Sequence, residues 1–233
     1  MALEILEDSE HLATLNQLHN AASPYIFEPA SNTPLKLSNS ASSFWLRLKV
    51  RNIDSAPLDW YLTYGDTTCD YLKIFVVETD GTVSMAAEID DNQPFETRPV
   101  NYRKPAVLIN TPAGKTQWIY LLKKADSIGS VNPRLFRLWG HDAFNQYRLN
   151  EYTLLGVAMG VLVAMVLYNL FIMVATCDNA YAYYVVYVVA VFLSWLTYLG
   201  LANQYTFTDS TFIPDMGTAF FGSCVQLCGT PYE

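Results

Sequence analysis

Two long uncharged runs meet at the four residues "TCDN", and this constrains the chain more than any other feature of its sequence. Tyr152–Thr176 contains 25 residues without a charge, and Asn179–Thr208 is also uncharged, leaving Asp178 as the one charged residue between Tyr152 and Thr208. At about 1.5 Å of rise per residue, a helix of the first length exceeds the roughly 30 Å hydrocarbon core of a bilayer. The pattern predicts two transmembrane helices, about 152–176 and about 179–203, joined by a tight polar turn. A third apolar stretch, about 211–228, starts in the same way and stops short of a full span.

Charge divides the chain at the same place. All 14 Lys and Arg residues lie at or before Arg148, so residues 1–150 carry a formal −3 and the remainder −5. A basic stripe of the kind that offsets phosphate charge is missing, which excludes nucleic acid as a partner. The four cysteines, Cys69, Cys177, Cys224 and Cys228, leave a single thiol in the polar part, which therefore has no internal disulfide. Neither "MALEILEDSEHLATL" nor "TAFFGSCVQLCGTPYE" reads as a natural terminus: the first lacks the basic and apolar regions of a signal peptide, and both ends are read as cuts.

The apolar segment carries packing signals. Gly156 and Gly160 form a G-x-x-x-G pair, a notch that admits a second helix. Asn169 lies nine residues beyond Gly160, about 180° around a helix at roughly 100° per residue. A costly amide and a small-residue notch on opposite faces call for at least two neighbouring helices. Tyr181, Tyr183, Tyr184 and Tyr187 crowd the start of the second run as an interfacial belt would.

Before the membrane segment the period changes to two. In "SFWLRLKVRN", Phe44, Leu46, Leu48 and Val50 alternate with Trp45, Arg47, Lys49 and Arg51, the signature of a half-buried strand. "PLDWYLTY", "DYLKIFVVE", "TVSMAAE", "AVLIN", "QWIYLLKK" and "RLFRLW" follow, with Asp80-Gly81 as a hairpin signal. These short strands predict an all-β jelly roll or sandwich over residues 1–145, followed by an α-helical transmembrane region over 146–233. "SEHLATLNQLHN" reads as one or two helical turns.

This domain shows no hydrolase triad, phosphate-binding glycine loop or metal-ligand spacing, and nothing calls for a cofactor. His11 and His19 are too far apart to share a helical face as i, i+4 ligands. Loop carboxylates such as Asp54, Asp59, Asp66, Asp70, Glu96 and Asp126 leave a tethered carbohydrate-active enzyme as the least favoured reading. Binding fits better: Trp45, Trp60 and Trp118, with Arg47, Arg98 and Tyr102, are groups that stack on and hydrogen-bond a flat polar ligand such as a sugar. Tryptophans in a sandwich are more often core than ligand platform, and Arg98 serves equally as a loop anchor.

Taken in order, "FWLRLKVRN", "PFETRPVNYR" and "GVAMGVLVAMVLYNLFIMVATCDNAYAYYVVYVVAVFLSWLTYLGLANQYTF" resemble the bacterial seven-transmembrane receptors with diverse intracellular signalling modules. "LYNLF", the short polar turn and "AYAYYVVY" are the most specific part. The resemblance implies a periplasmic jelly-roll sensor for a carbohydrate-like or other small ligand, in the bacterial inner membrane. It also implies a seven-helix transmitter and a cytoplasmic output domain, commonly a diguanylate cyclase or histidine kinase, with no enzymatic role for the present residues. It carries Trp45, Arg47, Asn52 and Arg98 over as candidate ligand-binding residues. Arg134, Arg137 and Arg148 before the first helix would place the β-domain in the cytoplasm by the positive-inside rule. The resemblance places it outside and is preferred, because a folded exported domain can retain basic residues. The alternative function is a membrane-anchored binding or adhesion module without signalling.

Overall fold

The computed structural model describes residues 3–20, 23–30, 37–40, 42–67, 69–124, 129–176, 179–208 and 223. The chain separates into two compact units, Met1–His141 and Asp142–Glu233.

The first unit contains β1 (Leu3–Asp8), α1 (Leu15–His19), β2 (Glu28–Pro29), β3 (Leu37–Ser40), β4 (Ser43–Arg51), β5 (Leu58–Tyr64), β6 (Tyr71–Glu78) and β7 (Val83–Asp90). It continues with β8 (Ala106–Thr111), β9 (Thr116–Lys124), β10 (Gly129–Val131) and β11 (Phe136–Gly140). A six-stranded antiparallel sheet has the order β2-β1-β4-β9-β6-β7, a three-stranded one the order β11-β5-β8, and β10 pairs with β3. Neighbours distant in sequence make the large sheet, which is why its register cannot be read from local turns alone.

The alternation in β4 fixes how the two larger sheets meet. Phe44, Leu46 and Leu48 face inward with Leu72, Ile74 and Val76 of β6 and Ile119 and Leu121 of β9. Against them pack Trp60 and Leu62 of β5, Val107 and Ile109 of β8 and Phe136 of β11. The result is a sandwich-like all-β unit, as the strand pattern predicts. Each fully buried aliphatic side chain contributes about 1.5–3 kcal/mol relative to remaining in water.

The hairpin between β6 and β7 forms at Asp80-Gly81. Gly81 takes φ 86°, a left-handed conformation that residues with a Cβ resist. The Asp80 carboxylate accepts the Thr82 N–H at 2.8 Å, and that backbone bond holds the Asp80 carboxyl below its ordinary pKa. A bulge between Ile74 and Phe75 then shifts the register along β6 and β7.

In the second unit α2 (His141–Thr176) is followed by α3 (Asn179–Tyr198) and a π-helical turn, Ala202–Thr206. At 36 residues, α2 is about 54 Å long. It begins ahead of the apolar run because "HDAFNQYRLNEY" contains no Pro or Gly, and Asp142 in its first turn complements the helix dipole. Both helices are long and apolar enough to cross a membrane, and none of the most apolar window of α2 is buried. Leu154 and Phe171, for example, are 71% and 72% exposed.

A Cβ built on Gly156 or Gly160 would meet nothing within 4 Å, so the predicted notch is open. Asn169 donates its amide to the Met165 carbonyl one turn back at 2.8 Å. Tyr152 donates its hydroxyl to Gln204 Oε1 at 2.7 Å, tying α2 to the π-helical turn. Apart from Ser223, the third apolar stretch at about 211–228 lies outside the described residues, as do the centre of the "TCDN" turn and Cys177, Cys224 and Cys228.

Candidate functional site

The face of the six-stranded sheet that points away from the core carries three rows of side chains. Register places Leu6, Trp45, Leu122, Lys73 and Glu88 across β1, β4, β9, β6 and β7. The next row is Glu4, Arg47, Tyr120, Phe75 and Met85, and the third is Lys49, Trp118, Val77 and Val83. Alternate residues of a strand share one face, so each row follows from the pairing of the aliphatic residues beneath it.

Arg47 is the hub of this surface. Its Nε donates to Glu4 Oε2 at 2.5 Å, and its guanidinium lies 4.1 Å from the centre of the Phe27 ring and 5.3 Å from that of Trp118. Lys49 approaches the Trp118 ring at 5.4 Å, so this half-buried indole has two cations near it. Trp45 is only 3% exposed and stacks on Phe75 with ring centres 6.3 Å apart. Tyr120 meets His19 edge-on at 5.9 Å, and His19 Nδ1 lies 3.3 Å from the Tyr120 hydroxyl. Burial raises the Tyr120 phenol pKa, with the Arg47 charge opposing.

A segment from the N-terminal third packs on this face. Ala13, Leu15, Leu18, Tyr25 and Phe27 pack with Trp45, Val77, Tyr120 and Trp118 in a second apolar cluster. Tyr25 and Phe27 lie in irregular chain beyond α1, and Phe27 reaches Arg47 from there.

Of the sequence-predicted residues, Trp45, Arg47 and Trp118 come together on this outer face. Trp60 and Asn52 lie elsewhere. The Trp60 indole donates to Thr111 Oγ1 at 2.9 Å, Thr111 donates to Gln117 Oε1 at 2.8 Å, and Gln117 Nε2 donates to Glu78 Oε1 at 2.6 Å. This chain of hydrogen bonds links the two sheets through the interior. Asn52 is 1% exposed and donates to the carbonyls of Ala56 at 2.8 Å and Thr111 at 3.0 Å. Its own oxygen accepts the Asp54 N–H at 2.9 Å, so all of its polar atoms hold the turn after β4 to the end of β8.

Arg98 and Tyr102 belong to a third place, the loop between β7 and β8. After a single 3-10 turn, Phe95–Thr97, the Arg98 guanidinium lies 4.8 Å from the Phe95 ring and donates to the Arg103 carbonyl at 3.4 Å. Burial lowers its pKa, with Cys69 and Asp91 opposing. Tyr102, four residues further along the same loop, is 1% exposed. The residues that sequence reasoning missed are His19, Phe27, Phe75 and Tyr120, together with Lys49 as a ring partner. Phe75 and Tyr120 carry a usable signal, because each alternates with a predicted core residue; His19 and Phe27 carry none.

Cys69 is 1% exposed, and burial pushes its thiol up from 9.0 to about 12, with Lys123 opposing. The thiol is neutral in both folded and unfolded chains below pH 9.0, so any stability linked to it is intact there and is lost as pH rises toward 12. Iodoacetamide at pH 8 is expected to leave Cys69 unmodified in the folded protein and to label it in denaturant, as read by peptide mass spectrometry. Labelling at equal rates in both states would refute this.

A β-sandwich unit continued by helices that can cross a membrane defines a class: an anchored extramembrane domain. Residues 1–137 match the family model described as 7TMR-DISM extracellular 2, and residues 151–230 match that described as 7TM diverse intracellular signalling. The chain belongs to this family of seven-transmembrane receptors with diverse intracellular signalling. It is thus part of a membrane signalling receptor whose N-terminal sensor domain faces outward, and the matched domains are sensory rather than catalytic. No curated protein matches the chain.

Proposed function

We propose that the N-terminal unit, placed at residues 1–145, senses a small ligand, a sugar or related polyol, on the outer face of its six-stranded sheet. The observation that carries this reading is the half-buried Trp118 ring with Arg47 and Lys49 both near it, at 5.3 and 5.4 Å from its centre. Sugars present apolar C–H faces to aromatic rings and hydroxyls to charged side chains, and this face offers both. Residues 146–233 then belong to the transmembrane transmitter, with the sensor in the periplasm of a bacterium and the helices in its inner membrane. The ligand biases the bundle only to the extent that it binds two bundle states with different affinity. The open notch at Gly156 and Gly160 is where a further helix would pack, and the bundle would drive a cytoplasmic output domain of diguanylate cyclase or histidine kinase type.

Calorimetric titration of the chain in lipid nanodiscs with glucose, galactose, N-acetylglucosamine and maltose tests this reading. Binding of at least one sugar is expected, with Trp118→Ala weakening it about tenfold, the equivalent of roughly 1.4 kcal/mol. Trp60→Phe, in the interior, should leave the affinity unchanged. Silence across the panel would move the β-unit to the alternative role, an anchored adhesion module that recognises a protein surface.

A further inference from the structure

The indole N–H of Trp45 has no hydrogen-bond acceptor among the described residues, although the side chain is buried and its ring is fully packed. Buried polar groups are paired as a rule, and a standing exception calls for an explanation. The same side chain shares an apolar cluster with Ala13 and Leu18 of the segment Leu12–His19.

That segment is built to be a separable piece. The Asp8 carboxylate anchors its start by accepting the N–H groups of Leu12 at 3.1 Å and Ala13 at 2.9 Å. Within it the hydrogen bonds are local: Gln17 and Leu18 donate N–H to the Thr14 carbonyl at 3.0 Å, and Gln17 Oε1 accepts the Thr14 N–H at 3.0 Å. It is attached to the sheet through side chains, with Leu18 2% exposed against the cluster of Trp45, Val77 and Tyr120. At its root His11 takes φ 56°, a left-handed conformation uncommon for a residue with a Cβ. Strain of this kind is held where surrounding contacts impose it and is released when they part.

We propose that Trp45 is the buried donor of a ligand site beneath Leu12–His19, and that a neutral sugar ring occupies the site by displacing this segment. The inference rests on the sugar-sensing reading of the same face. Trp45 and Phe75 supply the aromatic floor, and the Trp45 N–H supplies the one directed bond that the closed state leaves unmade. The Tyr120 hydroxyl, now 3.3 Å from His19 Nδ1, is freed as the segment leaves and meets a ligand hydroxyl instead. A neutral ligand fits better than an anion because Arg47 is already paired with Glu4, and Lys73, 5.9 Å from the Phe75 ring, with Glu88 at 3.1 Å. In the closed state the segment competes with the ligand, so the apparent affinity is lowered by the fraction of molecules that are closed.

The test uses the full chain in nanodiscs, titrated with glucose, galactose, N-acetylglucosamine and maltose and followed by calorimetry and amide hydrogen exchange. The tightest-binding sugar is expected to slow exchange in β4 and β9 while speeding exchange in residues 12–19. Trp45→Phe should weaken that sugar about tenfold, the loss of one buried hydrogen bond. Leu18→Ala, which loosens the segment, should tighten binding severalfold. Equal affinity for wild type and Trp45→Phe, or slowed exchange in residues 12–19 on binding, would overturn the displaced-segment site while leaving sugar sensing intact. No binding of any of the four sugars by the wild type would overturn the sensing reading and this site with it.

Discussion

Replacing Gln117 with alanine is expected to destabilise the β-unit by about 2–4 kcal/mol. Gln117 is 2% exposed and bonds in three directions: to Thr111 Oγ1 at 2.8 Å, to Glu78 Oε1 at 2.6 Å and to the Asn110 carbonyl at 3.2 Å. Truncation strands the Thr111 hydroxyl inside the sandwich and removes the link through which Trp60 on one sheet reaches Glu78 on the other. Each stranded buried group costs about 1–3 kcal/mol, well above the net worth of an ordinary hydrogen bond. Glu78→Gln should cost far less, because an amide oxygen still accepts from Gln117. Urea unfolding of the two variants, each compared with wild type, is the measurement. A midpoint for Gln117→Ala within experimental scatter of wild type would show that water replaces the lost bonds, and the network would lose its role in joining the sheets.

The same network shows where the sequence was legible and where it was not. In β4 the aliphatic and the Trp/basic residues segregate cleanly by parity, so Trp45 and Arg47 were identifiable as neighbours on the face opposite the core. In β5 parity does not decide. Trp60, Leu62 and Tyr64 alternate with Asp59, Tyr61 and Thr63, and aromatic residues stand in both sets. The inward position of Trp60 follows from the pairing of β5 with β8 and β11, which no local pattern encodes. Trp118 joins Arg47 through the register of β4 with β9, strands far apart in sequence. His19 and Phe27 escaped notice for a different reason: a short helix and an irregular segment reveal little of what they will cover. In α2 the hydropathy break at Tyr152 marks the end of the polar surface and not the start of the helix, because helix propensity continues through "HDAFNQYRLNEY" back to His141.

Introducing a charge at the centre of the uncharged run of α2 should impair membrane insertion. Ala164 sits midway along the uncharged run Tyr152–Thr176 and is exposed on the helix surface. Ala164→Arg is expected to make insertion less favourable by about 2.5–3.5 kcal/mol, the cost of a cationic side chain at the bilayer centre. Snorkelling offers little relief, since position 164 is about 18 Å from either end of the run at roughly 1.5 Å per residue. The readout is the carbonate-resistant membrane fraction of the expressed chain, with Gln146→Arg, in the polar first turns of α2, as a control that should behave like wild type. A helix packed within a water-soluble protein would respond otherwise: an exposed position there accepts arginine at almost no cost, and the membrane fraction would not change. The two environments differ in which solvent meets the exposed apolar side chains, so one charge at one exposed position of the helix surface separates them.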